Sequence, residues 1–367
     1  MAWEASAQIR RALTQKGAAA GVPVSGTFEL TPRCNLRCTM CYVRLTPEQM
    51  APIGREQTAE EWLALAREAT DAGMTFLLLT GGEPMLRSDF PMIYEGLAQM
   101  GLSISINTNG TLLSPELKEL FHRLPPAQVN ITLYGVCSED YAALCGSPEA
   151  YDRMLDALQW FRSEGILVHL NCTMIPDNLN RWELFEEFAA ARDLELRMTT
   201  YCFPPARRCE CKGFSRLSPE EAGELSVKDV LYREGIEVIR KRAANLERPL
   251  SSCKLDLGDP IQCMAAKSQF WITWDGRMVP CGMLSEPVVR PFENGFLTTW
   301  QILKEETSAI RLCPDCTGCE ERNSCMNCAA VTFTETGRFD GKPEYACRMN
   351  RAYRQALKKY AGEHYEG

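Results

Sequence analysis

With 367 residues, 45% of them apolar and 24% charged, the chain has ordinary globular composition and room for one large catalytic domain plus a smaller module. A net charge of −8 argues against a nucleic-acid partner. Neither the first residues (MAWEASAQIRRALTQKGAAAG) nor any later segment has an apolar run of signal-peptide or membrane-spanning length, so a cytoplasmic protein with no membrane partner is expected.

Residues 1–25 read as an N-terminal extension, with Ile9, Leu13 and Arg10–Arg11 fitting a short surface helix. From 26 to 215 the text alternates between strand and helix about every thirty residues. Strands are predicted at 26–31, 74–80, 102–107, 128–134, 166–174 and 194–201. Thr58 with Glu61 forms a capping box, and Ser114–Pro115 and Ser147–Pro148 mark two further helix starts. Gly73, Gly101 and Gly165 stop three helices. Six such units predict an α/β fold, a partial (β/α)6 TIM-type barrel.

Parity along the strands separates two faces. One carries Ser103, Ser105 and Asn107, then Gln128, Asn130, Thr132 and Tyr134, then His169, Asn171 and Thr173, then Glu195, Arg197, Thr199 and Tyr201. The other is almost wholly Ile, Leu, Val and Met. Helices cover the apolar face, so the polar face is expected to line a wet or ligand-filled lumen. His169 points into that lumen, for a structural hydrogen bond or acid–base work.

After Tyr201 the rhythm breaks in a loop rich in Pro, Arg and Cys, and residues 216–250 read as a helical linker. Residues 251–349 are short-patterned, turn-rich and dense in cysteine, a module expected to rely on metal for its fold. Residues 350–367 read as a basic C-terminal helix and tail.

Eighteen cysteines without a secretory signal point to metal rather than to disulfides. Cys34, Cys38 and Cys41, spaced C-x3-C-x2-C and followed by Tyr42, lie just beyond the first strand, at the end where barrel sites form. Three thiolates in one tight loop can hold three irons of a cubane and leave the fourth open. Zinc is the competing reading, but no fourth His, Cys, Asp or Glu lies in the loop.

The CNLRCTMCY segment together with Gly81-Gly82-Glu83-Pro84 after the second strand resembles the radical S-adenosylmethionine (SAM) superfamily. The resemblance implies that SAM chelates the open iron, with Cys34, Cys38 and Cys41 as ligands. Gly81, Gly82 and Glu83 would then meet the SAM amine, glycine by close backbone approach and Glu83 as acceptor. It further implies SAM contacts at Tyr42, Asn107, Asn109, Thr132, Asn171 and Thr173. Relatives often have Arg-Gly where this chain has Cys145-Gly146, which leaves Arg197 as the candidate for the SAM carboxylate.

The C-terminal cysteines resemble a SPASM domain: Cys263, Gly276 and Cys281, then Cys316-x2-Cys319-x5-Cys325-x2-Cys328, then Cys347. The last CxxC is one residue shorter than the family pattern. The resemblance implies an outer cluster on Cys316, Cys319, Cys325 and Cys347. It implies an inner one on Cys263, Cys281, Cys328 and Cys253, with Cys313 competing for the fourth place. A zinc ribbon is the alternative. Three [4Fe–4S] clusters, one catalytic and two auxiliary, are therefore expected. Of the other cysteines, Cys172 falls on the apolar parity, and Cys209 and Cys211 lie in the loop after Tyr201.

The resemblance implies a maturase that abstracts hydrogen from a ribosomally made peptide or protein and forms a thioether, carbon–carbon or related cross-link. A flavodoxin or ferredoxin would act as reductant. About twenty-five residues precede the first strand, too few for a winged-helix leader-binding domain, so a separate leader-binding partner protein is one expectation. Sulfatase maturation is the alternative, weakened by Gly282 where those enzymes carry an acidic residue. Action on a small molecule or cofactor precursor is a third reading, and an iron–sulfur electron-transfer or carrier protein a fourth, from outside the enzymes.

Overall fold

The computed structural model describes residues 2–204, 215–246, 263–317, 319–325 and 327–362. Helix α1 (Ala2–Ala20) leads to β1 (Ser25–Glu29), followed by α2 (Pro47–Met50), α3 (Ala59–Asp71), β2 (Phe76–Thr80), α4 (Phe90–Gln99), β3 (Ser103–Thr108), α5 (Pro115–Arg123) and β4 (Gln128–Thr132). Then come α6 (Ser138–Cys145), α7 (Ala150–Ser163), β5 (Val168–Thr173), α8 (Trp182–Ala190), β6 (Glu195–Thr199), α9 (Pro219–Glu234) and α10 (Ile236–Asn245). The C-terminal part holds β7 (Gln269–Ile272), β8 (Met278–Val279), α11 (Pro291–Asn294), α12 (Phe296–Ser308), α13 (Pro314–Thr317), α14 (Ala329–Thr336) and α15 (Glu344–Gly362). Among the described residues no helix is long and apolar enough to cross a membrane.

One sheet runs β6-β5-β4-β3-β2-β1-β7-β8. Strands β1 to β6 are parallel, as the alternation with helices requires, and the fold is the expected α/β partial barrel. Local signals act where predicted. Thr58 and Glu61 close a reciprocal capping box on α3, worth about 1 kcal/mol. Ser114 caps α5. The Ser147 expectation fails: α7 begins at Ala150, and the Ser147 hydroxyl instead donates to the Glu149 carboxylate at 2.7 Å.

Register confirms the two faces. Across β3 to β6, Asn107, Asn130, His169 and Glu195 stand side by side, with Thr132, Asn171 and Arg197 in the next row. Asn130 and His169 are buried, whereas Glu195, Arg197 and Thr199 are exposed, so β6 is the lumen's open edge. Leu77, Leu79, Ile104, Ile106, Val129, Ile131 and Leu170 face the helices and are buried. Each such side chain contributes about 2 kcal/mol of burial.

The cysteine-rich part does not stand apart from the barrel. Strand β7 pairs in parallel with β1, and Phe270, Ile272, Met278, Phe296, Trp300 and Leu303 join the barrel's main core. Trp62 of α3 packs against both Phe28 of β1 (4.8 Å between centroids) and Phe292 of α11 (5.4 Å). The expectation that this part depends on metal for its fold did not account for this shared core. A second, smaller core joins α9, α10 and α15 through Val227, Ile239, Leu357 and Tyr360.

Candidate active site

Strands β1 and β2 keep pairing beyond their ends. Leu30 N–H donates to Thr80 O at 2.8 Å, Gly82 N–H to Thr31 O at 2.7 Å and Glu83 N–H to Arg33 O at 2.9 Å. This lays Gly81–Glu83 along the backbone that leads into the cysteine loop. A Cβ on Gly81 would stand 2.4 Å from Thr31 O, and one on Gly82 would stand 2.4 Å from Arg33 O. The glycines therefore allow the close backbone approach expected of them, here toward the chain's own cysteine loop.

Glu83 is fully buried. Its carboxylate accepts from Thr108 Oγ1 (2.9 Å to each oxygen), Asn109 N (2.8 Å) and Met85 N (3.2 Å). Burial pushes the carboxyl up to about 7, against the pull of these donors. Asn109, also buried, donates from Nδ2 to Cys34 Sγ (3.7 Å) and Asn35 Oδ1 (3.0 Å).

The three loop sulfurs are each met by donors. Leu36 N–H points at Cys34 Sγ (3.4 Å) and Arg44 N–H at Cys41 Sγ (3.3 Å). Cys145 and Tyr134 hydrogen-bond Cys38, which lowers its thiol from the ordinary range. Burial pushes Cys34 the other way, to about 12. Arg37 N–H and Thr39 N–H donate to the carbonyls of Cys145 and Leu144, which binds the loop to the end of α6. An all-sulfur donor set ringed by N–H and O–H groups fits an iron–sulfur cluster, whose thiolates carry the negative charge. Among the described residues no three His, Cys, Asp or Glu side chains surround a point that would suit a single metal ion.

An ion network centred on the buried Arg87 braces the loop from outside. Glu56 accepts from Thr31 Oγ1 and takes Arg33 in a bidentate pair at 2.8 Å. Arg87 donates to the carbonyls of Leu30 (2.8 Å) and Gln57 (2.9 Å) and pairs with Asp89. Glu56, Arg87 and Thr111 carried no motif and were missed in the sequence, and Asn35 was quoted only as part of the cysteine segment. Tyr134 was placed on the lumen face, and Cys145 was noted only for what it replaces.

The predicted SAM contacts on the strands share the lumen face. Tyr42 is half-buried beside Cys41. Asn107 accepts from Asn130 at 2.7 Å, and Thr132, Asn171 and Thr173 are half-buried on the same face. Arg197 lies on the exposed edge and donates to Glu195 at 2.8 Å. His169 is 5% exposed, with Nε2 3.4 Å from Glu195 Oε2. Among the described residues its Nδ1 has no hydrogen-bond partner.

In the C-terminal part, Cys316, Cys319, Cys325 and Cys347 line a single cavity of about 100 Å³. These are the four cysteines assigned to the outer cluster. Asn327, also missed in the sequence, donates from Nδ2 to Cys316 Sγ (3.8 Å) and from its backbone N–H to Cys325 Sγ (3.4 Å). Cys328 lies where the charge of Cys263 reaches it, and Cys281 and Cys328 flank one small apolar cluster. Cys313 packs against Cys316. Cys253, Cys209 and Cys211 lie outside the described residues, while Cys172 is buried in the core as its parity predicted.

The Radical SAM superfamily model matches residues 28–189, the stretch from β1 to α8 that holds the cysteine loop, the glycine pair and the polar lumen. Residues 28–189 form a radical SAM domain. Among curated relatives, the AdoMet-dependent heme synthase of Methanosarcina barkeri is 25% identical over 85% of this chain and 93% of its own length. The antilisterial bacteriocin subtilosin biosynthesis protein AlbA of Bacillus subtilis is 28% identical over 49% of this chain and 39% of its own. Solved structures share the fold. Streptococcus suis SuiB bound to its precursor peptide SuiA gives a TM-score of 0.67 at 17% identity, over 93% of this chain and 80% of SuiB. The anSMEcpe structure with bound AdoMet and the Cp18Cys peptide gives 0.67 at 15% identity, over 92% of this chain and 99% of that one.

Proposed function

We propose that this radical SAM protein is a SPASM-type maturase of a ribosomally made peptide. Cys34, Cys38 and Cys41 would hold the catalytic [4Fe–4S] cluster, and the C-terminal cysteines two auxiliary clusters. Once reduced by a flavodoxin or ferredoxin, the catalytic cluster would supply the electron that cleaves SAM to a 5′-deoxyadenosyl radical. The lumen residues bind and orient the reactants and keep water away.

The observation that carries the peptide reading is the lumen itself. Its polar rows run across four strands and end on an exposed edge at Glu195, Arg197 and Thr199. A peptide backbone needs hydrogen-bond partners along its whole length, and an open polar trough offers them. Likeness to AlbA over half the chain supports the same substrate class. Cys253 is the fourth inner ligand in this reading, because Cys313 sits against Cys316 of the outer set. A separate leader-binding protein is the proposed route to peptide recognition.

Sulfatase maturation is disfavoured by a contact. A Cβ on Gly282 would stand 2.8 Å from three ring carbons of Trp271, so an acidic residue there would require the indole to move. A second reading, action on a tetrapyrrole precursor, is favoured by the heme synthase likeness, which spans most of both chains.

The test is anaerobic turnover of reconstituted protein with SAM and dithionite. One arm contains the peptide encoded beside the gene and the other a tetrapyrrole, each followed by mass spectrometry. Deoxyadenosine with a peptide lighter by two hydrogens supports the maturase. Deoxyadenosine coupled only to a changed tetrapyrrole replaces it with the second reading.

A further inference from the structure

We propose that Asn109 is a positioning residue that raises the reduction potential of the cluster on Cys34, Cys38 and Cys41. The inference rests on the reading of those cysteines as cluster ligands.

The neighbours of Asn109 fix which way its amide faces. Its Oδ1 accepts from Thr111 N at 2.9 Å and Thr111 Oγ1 at 2.6 Å. A backbone N–H can only donate, so the atom facing it is oxygen, and the nitrogen must face Cys34. One Nδ2 hydrogen goes to Asn35 Oδ1 (3.0 Å) and the other to Cys34 Sγ (3.7 Å). Asn35 closes the ring by donating to Thr111 Oγ1 at 2.8 Å. The Asn109 backbone is pinned as well, its N–H held by the buried Glu83 at 2.8 Å. At 3% exposure, with both ends of the amide engaged, the side chain cannot turn toward a lumen ligand without breaking this ring.

Cys34 thus receives two N–H donors, Leu36 N and Asn109 Nδ2. Reduction adds negative charge to the cluster and its thiolates. A fixed donor favours that form and moves the potential upward. Asn109→Asp keeps the shape and can still accept from Thr111, but it replaces the donor with a carboxylate oxygen facing the sulfur. Asn109→Ala removes the donor alone.

The experiment is a potentiometric titration of the anaerobically reconstituted full chain, followed by electron paramagnetic resonance. The catalytic cluster is identified as the signal that SAM perturbs. A tenfold lower equilibrium constant for reduction is expected in Asn109→Ala, a fall of about 60 mV for one electron, with a larger fall in Asn109→Asp. Iron content should equal that of the unmodified protein. Unchanged midpoints at equal iron content overturn the proposal. If both variants fail to assemble, Thr111→Val takes their place. It loosens the amide ring and must lower the midpoint, and an unchanged value there overturns the proposal as well. Absence of any SAM-responsive signal in the unmodified protein would overturn the proposal together with the cluster reading beneath it.

Discussion

Gly82→Ala tests how the site is built. The added methyl would stand 2.4 Å from Arg33 O and 2.8 Å from Pro32 O. Both atoms are backbone, so neither can rotate aside, and the two segments must separate by about 1 Å to reach ordinary contact. Overpacking of this kind costs about 1–3 kcal/mol. Separation also strains the Gly82–Thr31 and Glu83–Arg33 hydrogen bonds, each worth about 1 kcal/mol, for a total near 3–5 kcal/mol. The displaced atoms are those next to Cys34, where a 1 Å error can lower the rate about 100-fold. Iron content, deoxyadenosine formation and thermal midpoint should all fall. Gly101→Ala is the control: its φ is +78° and nothing lies within 4 Å of the added carbon, so it should lose about 1 kcal/mol of stability and leave the site intact. A Gly82→Ala protein with full iron and full rate would refute this account.

Three further outcomes are expected. Burial, reinforced by Asp229, pushes the Glu186 carboxyl up to about 8, so the folded state binds its proton more tightly than the unfolded chain. Stability from this group is complete below about pH 4.5 and is lost as pH rises toward 8. Glu186→Gln should therefore raise the stability above pH 8 by about 1–3 kcal/mol, seen as a higher thermal midpoint, and change little at pH 5; identical pH profiles would exclude the effect. Asn327→Ala removes the Nδ2 donor to Cys316 and should lower the outer cluster's reduction midpoint at full iron content, whereas Cys316→Ala should leave the reconstituted chain short of about four irons. His169 Nε2 faces Glu195, which leaves Nδ1 as a buried acceptor with no partner among the described residues. His169→Asn, which keeps an acceptor at that position, should retain product formation, and His169→Gln should lose at least about tenfold. Equal loss in both would remove Nδ1 from any role in binding the lumen ligand.

Much of this was legible in one dimension because the physics behind it is local. Strand parity needs only a two-residue period, and it separated Asn107, Asn130 and His169 from Ile106, Val129 and Leu170. Cap residues act within one turn, so Thr58, Ser114, Gly73, Gly101 and Gly165 announced helix ends; Ser147 misled because its hydroxyl found Glu149 instead. Spacing within a tight loop limits which thiols can share a centre, and that is why Cys34, Cys38 and Cys41 stand out as candidates. The family pattern assembled the outer four, and they line one cavity.

Contacts between residues distant in sequence carry no such period. Nothing in QFWI announces that β7 extends the sheet beyond β1, since a four-residue strand is defined by the edge it meets. Glu56 and Arg87 are ordinary charges until the fold sets them against Thr31, Arg33 and Leu30 and buries Arg87. Gly282 shows its constraint only against Trp271, and Cys145 shows its role only against Cys38. Asn109 looked like a SAM contact because its type and position fit one. The fold turns its amide to Cys34 and engages both ends. The sequence alone therefore determined the alternation of strands with helices and the two faces of the barrel, and it singled out the cysteines proposed to share a cluster. Only the tertiary structure decided which buried donors surround each sulfur, because hydrogen-bond partners are set by packing between segments that have no spacing in common.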